Sequence, residues 1–492
     1  MIILKITTKK QHEKCEKIGR YYIYSNGHFK KEINNKTKTM LKFKDSLIGS
    51  LDKENNLIEI IRNIENGLPL YYFVRPNEII ISSHIKSFLM NKINLKENKK
   101  VVAELLNYGY ILPPNTIYKN IFRIPLLSKI VIRLEDKMDI IPERLFENQN
   151  TQGDPVNLSS FIEENINFDK NKIYTLLFSG GLDSSILCQL MKKQKVKFNM
   201  FSTGFDFDEK DLIEKKYSIS ASKELNKKTN YVSFDFRKLI LMIPEIIFST
   251  EEPISHIQTL LLYSLMKEQK DKMNPIIVNG QGADGIFGTA HQFNFLNKNG
   301  ELDLPKIKFA KLNFLKKDYL INKEENKRKF LEKLNGYKKI DRDFIIDLEG
   351  DVDNTINSWT KCVNNNSFSI IYPFFQKKFI QEVSKVNWKS RLTEPKFILR
   401  WLARKNNLSE NLIIRKKGSF GPISDKWGEL LHSILPISYD YFDKCKLYKF
   451  AIDKENRYIL WNVINYSIWK KIFIEKQPHN KIKIQLSKLM ED

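Results

Sequence analysis

Residues 173–185, IYTLLFSGGLDSS, decide how this chain folds. Ile173 to Phe178 form an apolar run short enough for a buried strand. Ser179, Gly180 and Gly181 follow at once. Asp183, Ser184 and Ser185 then lead into Ile186, Leu187, Leu190 and Met191, spaced for one face of a helix. A strand, a glycine turn and a helix start aim free backbone N–H groups and the positive end of a helix at one point, which is a phosphate site. The glycines let an oxygen approach the main chain, and the hydroxyls add donors. Asp183 repels a bare phosphate but suits a Mg2+ that bridges to phosphate oxygens. The competing reading is a plain turn with Asp and Ser as helix caps. The whole string S-G-G-x-D-S-S behind an apolar strand favours the phosphate site. No Lys follows the glycines, so the G-x-x-x-x-G-K spacing of a Walker loop is absent.

Working outward, residues 158–292 alternate strand and helix. Strands are predicted at 198–203, 229–233 and 275–279, and helices at 213–225, 239–248 and 257–267. That alternation predicts a parallel, doubly wound sheet with ligand at the carboxyl ends of its strands. The last strand runs into NGQGADGIFGTAH, residues 279–291. Gly280, Gly282, Gly285 and Gly288 make a second loop open to a ligand, and Asp284 is placed to meet Asp183 across the site. Two hard oxygen ligands from separate loops, completed by phosphate and water, suit Mg2+. Residues 306–492 read as largely helical. Residues 1–150 read as short strands around a helix at 101–108, an α+β or sandwich-like domain. Residues 151–157, with Gly153 and Pro155, read as a linker.

The chain has 492 residues, enough for two or three domains, and is 42% hydrophobic, so it can bury sizeable cores. Its net charge of +24 attracts anions, but Lys is abundant throughout and no basic patch interleaves with aromatics, so no nucleic-acid partner is expected. Cys15, Cys188, Cys362 and Cys445 lie far apart with no C-x-x-C pair, which argues against zinc and against a disulfide framework and fits a cytoplasmic location. No signal peptide and no membrane span are expected.

The S-G-G-x-D-S-S loop resembles the PP-loop of ATP pyrophosphatases, which cut ATP between the α and β phosphates. Residues 280–288 resemble the asparagine synthetase pattern G-E-G-A-D-E-x-F-G, with Gln281 and Gly285 replacing glutamates. KFILRWLARKNNLSENLIIRKKGSFGPISDKW, from Lys396 to Trp427, resembles that family's K-x-x-L-R … R-x-K-x-G-F-x-x-P-x-x-x-W element. IIYPFFQKKFIQEV resembles its Y-P-F-L-D helix start, with Gln376 for Asp. RYILWNVINYSIWKKIFI resembles its final amphipathic helix, whose Trp461 and Trp469 are expected in the core. Residues 62–89 and 107–125 are similar to the glutaminase half of those enzymes. There a mature N-terminal Cys attacks the amide. Here residue 2 is Ile2 and Cys15 is internal, so no glutamine hydrolysis is expected.

The resemblance implies an α/β fold: a doubly wound parallel-sheet PP-loop synthetase domain, residues 158–492, after a degenerate N-terminal α+β glutaminase-like domain of the Ntn type, residues 1–150. It implies ATP and Mg2+ as cofactors and a carbon–nitrogen ligase that forms an acyl-adenylate. Leu177 and Thr203 are implied at the adenine, and Ser179, Gly180, Gly181, Asp183, Ser184, Ser185 and Gly280 at ribose and phosphates. Asp183 and Asp284 are the metal ligands, and Lys417 is the cation beside the transition state, flanked by Arg415 and Lys416. Gln281 and His256 are expected to face substrate. Gln281 stands where the family handles a proton, and an amide cannot act as a base. Relatives that have lost the glutaminase include β-lactam synthetases and lasso-peptide cyclases. The latter join a peptide's α-amine to an Asp or Glu side chain. The lasso cyclase is the reading adopted, with a precursor peptide as substrate and a leader-peptide protease and a leader-recognition protein as candidate associates. Two alternatives stand: a ligase using free ammonia or a small amine, and a non-catalytic peptide- or RNA-binding protein that keeps an ATP site.

Overall fold

The computed structural model describes residues 3–8, 16–18, 21–25, 30–33, 38–43, 46–62, 64, 67–134, 138–144, 153–205, 209–269, 276–288, 310–319, 323–333, 335, 342–415 and 424–491. The chain divides into two compact units, Met1–Val102 with Ile111–Glu147, and Ala103–Tyr110 with Asn148–Asp492.

The first unit carries strands β1 (Ile3–Thr7), β2 (Glu16–Ile18), β3 (Tyr21–Ser25), β4 (Lys30–Ile33), β5 (Lys38–Phe43), β6 (Ser46–Asp52), β7 (Leu57–Ile61), β8 (Tyr71–Arg75), β9 (Glu78–Ser82), β10 (Ile121–Arg123), β11 (Ser128–Leu134) and β12 (Met138–Arg144). They form two six-stranded sheets, ordered β10-β8-β9-β1-β3-β2 and β12-β11-β7-β6-β5-β4. The pairings are antiparallel; Ile6 sits opposite Ile23 and Ile79, and Ile58 opposite Ile132. Alternate positions turn inward, so Leu4, Ile6, Ile79 and Ile81 of one sheet meet Leu51, Ile58, Ile60 and Ile132 of the other in one core. This is a sandwich.

The second unit is built on β13 (Ile173–Leu177), β14 (Lys197–Phe205), β15 (Thr229–Phe234), β16 (Ile276–Val278) and β17 (Ser369–Ile371). The order is β15-β14-β13-β16-β17 and every pairing is parallel. The chain thus starts in the middle, winds outward one way through β14 and β15, then returns to wind the other way. The order reverses between β13 and β16, where an open parallel sheet leaves a crevice at its carboxyl end. Leu176 and Met200 are fully buried, as expected of a strand covered on both faces.

Three expectations need correction. Residues 155–157 are the start of a helix, Pro155–Asn165, whose N-cap Asp154 accepts from the Val156 N–H at 2.8 Å. Proline fits the first turn because its missing N–H has no intrahelical partner there. Residues 239–248 are not one helix: Phe236–Ile240 stops and Ile243–Thr250 restarts around Pro244. The fifth strand, Ser369–Ile371, lies inside the part read as helical, too short for its periodicity to stand out. Trp461 and Trp469 are fully buried as expected. Cys188 and Cys362 are buried with their thiols pushed up by burial, to about 11 and about 12, so neither is a reactive thiolate. Cys445 is exposed, and Cys15 lies outside the described residues. No described helix is long and apolar enough to cross a membrane.

Candidate active site

β13 delivers Leu177 and Phe178 to the carboxyl edge, and the chain turns sharply at Ser179–Gly181. Gly180 has φ +73°, and a Cβ there would stand 2.7 Å from the Ser218 Cα, so only glycine fits. Gly181 is the N-cap of the helix Leu182–Lys193 and supplies no side-chain cap, so the positive end of that helix stands behind the turn. The Ser179 hydroxyl accepts from the Gly181 N–H at 3.3 Å and lies 3.3 Å from the Ser184 hydroxyl, which donates to the Gly181 carbonyl at 3.1 Å. Ser179 is exposed, and Ser184 is buried under the turn. Ser185 is fully buried on the inner face of the helix, and its hydroxyl has no hydrogen-bond partner among the described residues. Leu177 ends β13 and Thr203 lies two residues before the end of the neighbouring β14, both half-buried, with Leu177 opposite Phe201.

The second loop leaves β16 at Asn279, whose side chain accepts from the Gln281 N–H at 2.7 Å. A Cβ on Gly280 would stand 3.3 Å from the Asp183 Cβ, so the two glycine loops touch. Gly282 has φ +96° and backs onto Phe375. The short helix Ala283–Phe287 then presents Asp284 to solvent, while Gly285 on its other side receives Val352. Gln281 is half-buried beside this turn.

Both carboxylates converge on one ammonium. Lys396 Nζ lies 3.0 and 3.2 Å from the Asp183 oxygens and 2.6 Å from Asp284 Oδ1. Lys396 stands at the N-terminus of the helix Phe397–Lys405 with a left-handed backbone, φ +57°. Burial alone lowers its pKa, but the charges of Asp183 and Asp284 and their hydrogen bonds outweigh that and hold it above the ordinary lysine value. Sequence reasoning gave Lys396 no role. The signal was the K-x-x-L-R phrase, but nothing in it says where the side chain points. The two carboxylates fit a divalent cation on the same ground: both already reach one positive centre. Among the described residues no third His, Cys, Asp or Glu joins them, so phosphate and water would complete the coordination.

His256 is brought to a second carboxylate. Its Nε2 lies 2.7 Å from Asp351 Oδ1. Asp351 belongs to a π-helical turn, Ile346–Val352, a distortion found often at functional sites. The next residue, Val352, is the one packed on Gly285, so this pair sits one contact from the Asp284 loop. Burial lowers the His256 pKa, yet the charge and hydrogen bond of Asp351 override it and leave it raised; Asp351 is lowered in turn. Tyr110 and Tyr458 sense the Asp351 charge, and both phenols are pushed up chiefly by burial.

Lys417 lies outside the described residues, as do 416–423. The residue leading into that stretch is fixed: Arg415 donates to the Tyr217 carbonyl at 3.1 Å and lies over the Tyr217 ring, beside the backbone that confronts Gly180. Beyond it, Trp427 is buried against Phe205 and Trp461.

Residues 169–470 match the asparagine synthase family. The chain is 29% identical over 279 residues to a putative asparagine synthetase (glutamine-hydrolyzing) 2 of Methanocaldococcus jannaschii, covering 52% of each chain. It is 21% identical over 270 residues to asparagine synthetase (glutamine-hydrolyzing) 1 of Bacillus subtilis, covering 53% of this chain and 41% of that one. The chain thus spans about half the length of the curated relatives it matches. Among solved structures, it is similar to the NH3-dependent NAD synthetase of Campylobacter jejuni, at 16% identity over 39% of this chain and 75% of that one, with a TM-score of 0.18. That overlap is too loose to add to the sheet order described above.

Proposed function

The chain belongs to the asparagine synthase family, and from that premise we propose that it is an ATP-dependent amide-bond synthetase that activates a carboxylate by adenylation. A carboxylate oxygen attacks the α-phosphorus, the α–β bond breaks and pyrophosphate leaves. An amine nitrogen then bonds to the acyl carbon, the acyl–phosphate bond breaks, AMP departs and the nitrogen loses a proton. The observation that carries this reading is the meeting of Asp183 and Asp284 on one cation, 101 positions apart in the chain, in front of an uncapped helix N-terminus. Asp183 and Asp284 would hold Mg2+ there, and the ion would supply positive charge to offset that of the leaving pyrophosphate. The chain's own groups position and screen. The Gly180–Asp183 turn offers backbone N–H groups to phosphate, Leu177 and Thr203 flank the base, and Lys417 offsets charge developing at the α-phosphate and the acyl centre.

For the substrates we propose a precursor peptide, its Asp or Glu side chain joined to its own α-amine in a lasso-type macrolactam. Gln281 supports this, because an amide there does not manage a proton as a glutamate does. His256 and Gln281 would face the peptide, in a cytoplasmic enzyme. Pyrophosphate release tests the reading directly. Release with ATP that depends on a candidate precursor peptide, with loss of water from the peptide by mass, is the expected result. Release with aspartate and ammonium but no peptide would move the assignment to a small-amine ligase, and release supported by glutamine would restore a working glutaminase. No ATP binding at all would leave only a binding protein.

A further inference from the structure

The contact between Lys396 and the two aspartates is more than a salt bridge if the site takes a divalent cation, as the proposed function holds. The ammonium lies 2.6 to 3.2 Å from oxygens of both carboxylates. Mg2+ binds such oxygens at about 2.0–2.1 Å and demands a near-octahedral shell. One position between Asp183 and Asp284 cannot hold both, and two positive charges a few ångströms apart repel. Ammonium and metal are therefore alternatives at the same two carboxylates.

Each alternative has a different consequence for the lysine. When a bare divalent ion enters, the Lys396 ammonium is turned out of a half-buried place and the ion brings no anion in exchange. When the ion enters with a triphosphate, the phosphate brings its own negative charge to the Gly180–Asp183 turn, and that charge would receive the ammonium held beside Asp183. We propose that Lys396 makes the metal site conditional on nucleotide: its ammonium holds Asp183 and Asp284 together in the free protein and yields them only to a divalent cation that arrives with phosphate. The left-handed backbone at Lys396, φ +57°, belongs to a turn that the Phe397 N–H closes on the Glu394 carbonyl at 3.1 Å, which fixes where the side chain starts. The device keeps two carboxylates from repelling each other in the free enzyme and keeps free Mg2+ from filling the site without ATP.

Manganese reports on this without turnover. The full-length protein is titrated with Mn2+ alone, the free ion being followed by electron paramagnetic resonance, and again with α,β-methylene ATP, which cannot be cut between its α and β phosphorus. Wild type should take up Mn2+ weakly alone and tightly with the nucleotide analogue. Lys396→Met should bind Mn2+ alone at least about tenfold more tightly than wild type, and lose most of the analogue's enhancement. Lys396→Arg, which keeps the charge, should stay as weak as wild type for Mn2+ alone, separating charge from packing. Equal Mn2+ affinity of wild type and Lys396→Met without nucleotide, while the Mn2+–analogue complex still binds, overturns this inference alone. Failure of wild type to bind Mn2+ even with the analogue overturns the nucleotide-site reading and this inference with it.

Discussion

Two lysines of the second unit each face carboxylates, and the contrast between them is instructive. Lys361 meets Glu251 at 2.9 Å with side-chain exposures of 1% and 0%. It also donates to the Thr250 carbonyl at 3.0 Å, tying the end of the helix Ile243–Thr250 to the helix Asp353–Asn365. Lys396 meets two carboxylates, and Asp284 is 56% exposed. The first pair has equal charges and is walled in, so it can only hold. Among the described residues the second sets one ammonium against two carboxylates and opens to solvent, so its ammonium can be exchanged for another cation. Residue type does not separate a walled-in ion pair from one open to exchange; charge balance and access do.

The contrast breaks most visibly at Lys361. Lys361→Met strips Glu251 of its lysine in the interior and is expected to cost about 3 to 5 kcal/mol in urea unfolding; Lys396→Met should cost far less. Equal losses would erase the distinction. Asp183→Ala sharpens the other side: pyrophosphate release should fall by about 10²–10³-fold while the melting temperature moves little. Near-normal release would remove Asp183 from the metal site. Gly180→Ala tests whether the turn itself is built for a ligand. The left-handed backbone and the 2.7 Å approach to Ser218 predict a loss of about 1–2 kcal/mol together with weaker ATP binding by calorimetry.

The smallest effect concerns the His256–Asp351 pair, which lies between the two extremes in exposure. Asp351 raises the His256 pKa, so the histidine's contribution to stability is full below its ordinary value of 6.5 and is lost as pH rises through the raised one. Asp351 is depressed, so its contribution is present above 3.8 and is lost as pH falls through the lowered value. The stability difference between wild type and Asp351→Asn should therefore be largest near about pH 5 and shrink towards about pH 9. A difference that grows with pH would reverse the assignment of charge in this pair.

Much of the fold was legible where chemistry is local. The apolar run Ile173–Phe178, the glycines behind it and the helix-spaced Ile186, Leu187 and Leu190 announce a strand, a turn and a helix within the eighteen residues from Ile173 to Leu190, because each rests on near-neighbour sterics. Alternation of such units was enough to expect a parallel sheet. The three-residue strands β10 and β17 carry too few positions for a period to register, and Pro155 read as linker punctuation while it occupied a first helical turn. At the site, Asp183 and Asp284 were legible because each sits in a glycine loop. Lys396 and Asp351 were not, since one lies at a helix start and the other in a π-helical turn, and neither position marks itself as facing a cleft.

The amino-acid sequence by itself determined the two glycine loops, the uncapped helix start and the carboxylates within them, because backbone freedom and helix geometry are properties of a few adjacent residues. Only the tertiary structure decided that a lysine more than two hundred residues after Asp183 would lie between those carboxylates, and that Asp351 would reach His256. Contacts of that kind follow from how β13, β16 and the helices behind them pack, and long-range packing leaves no periodic trace in the chain.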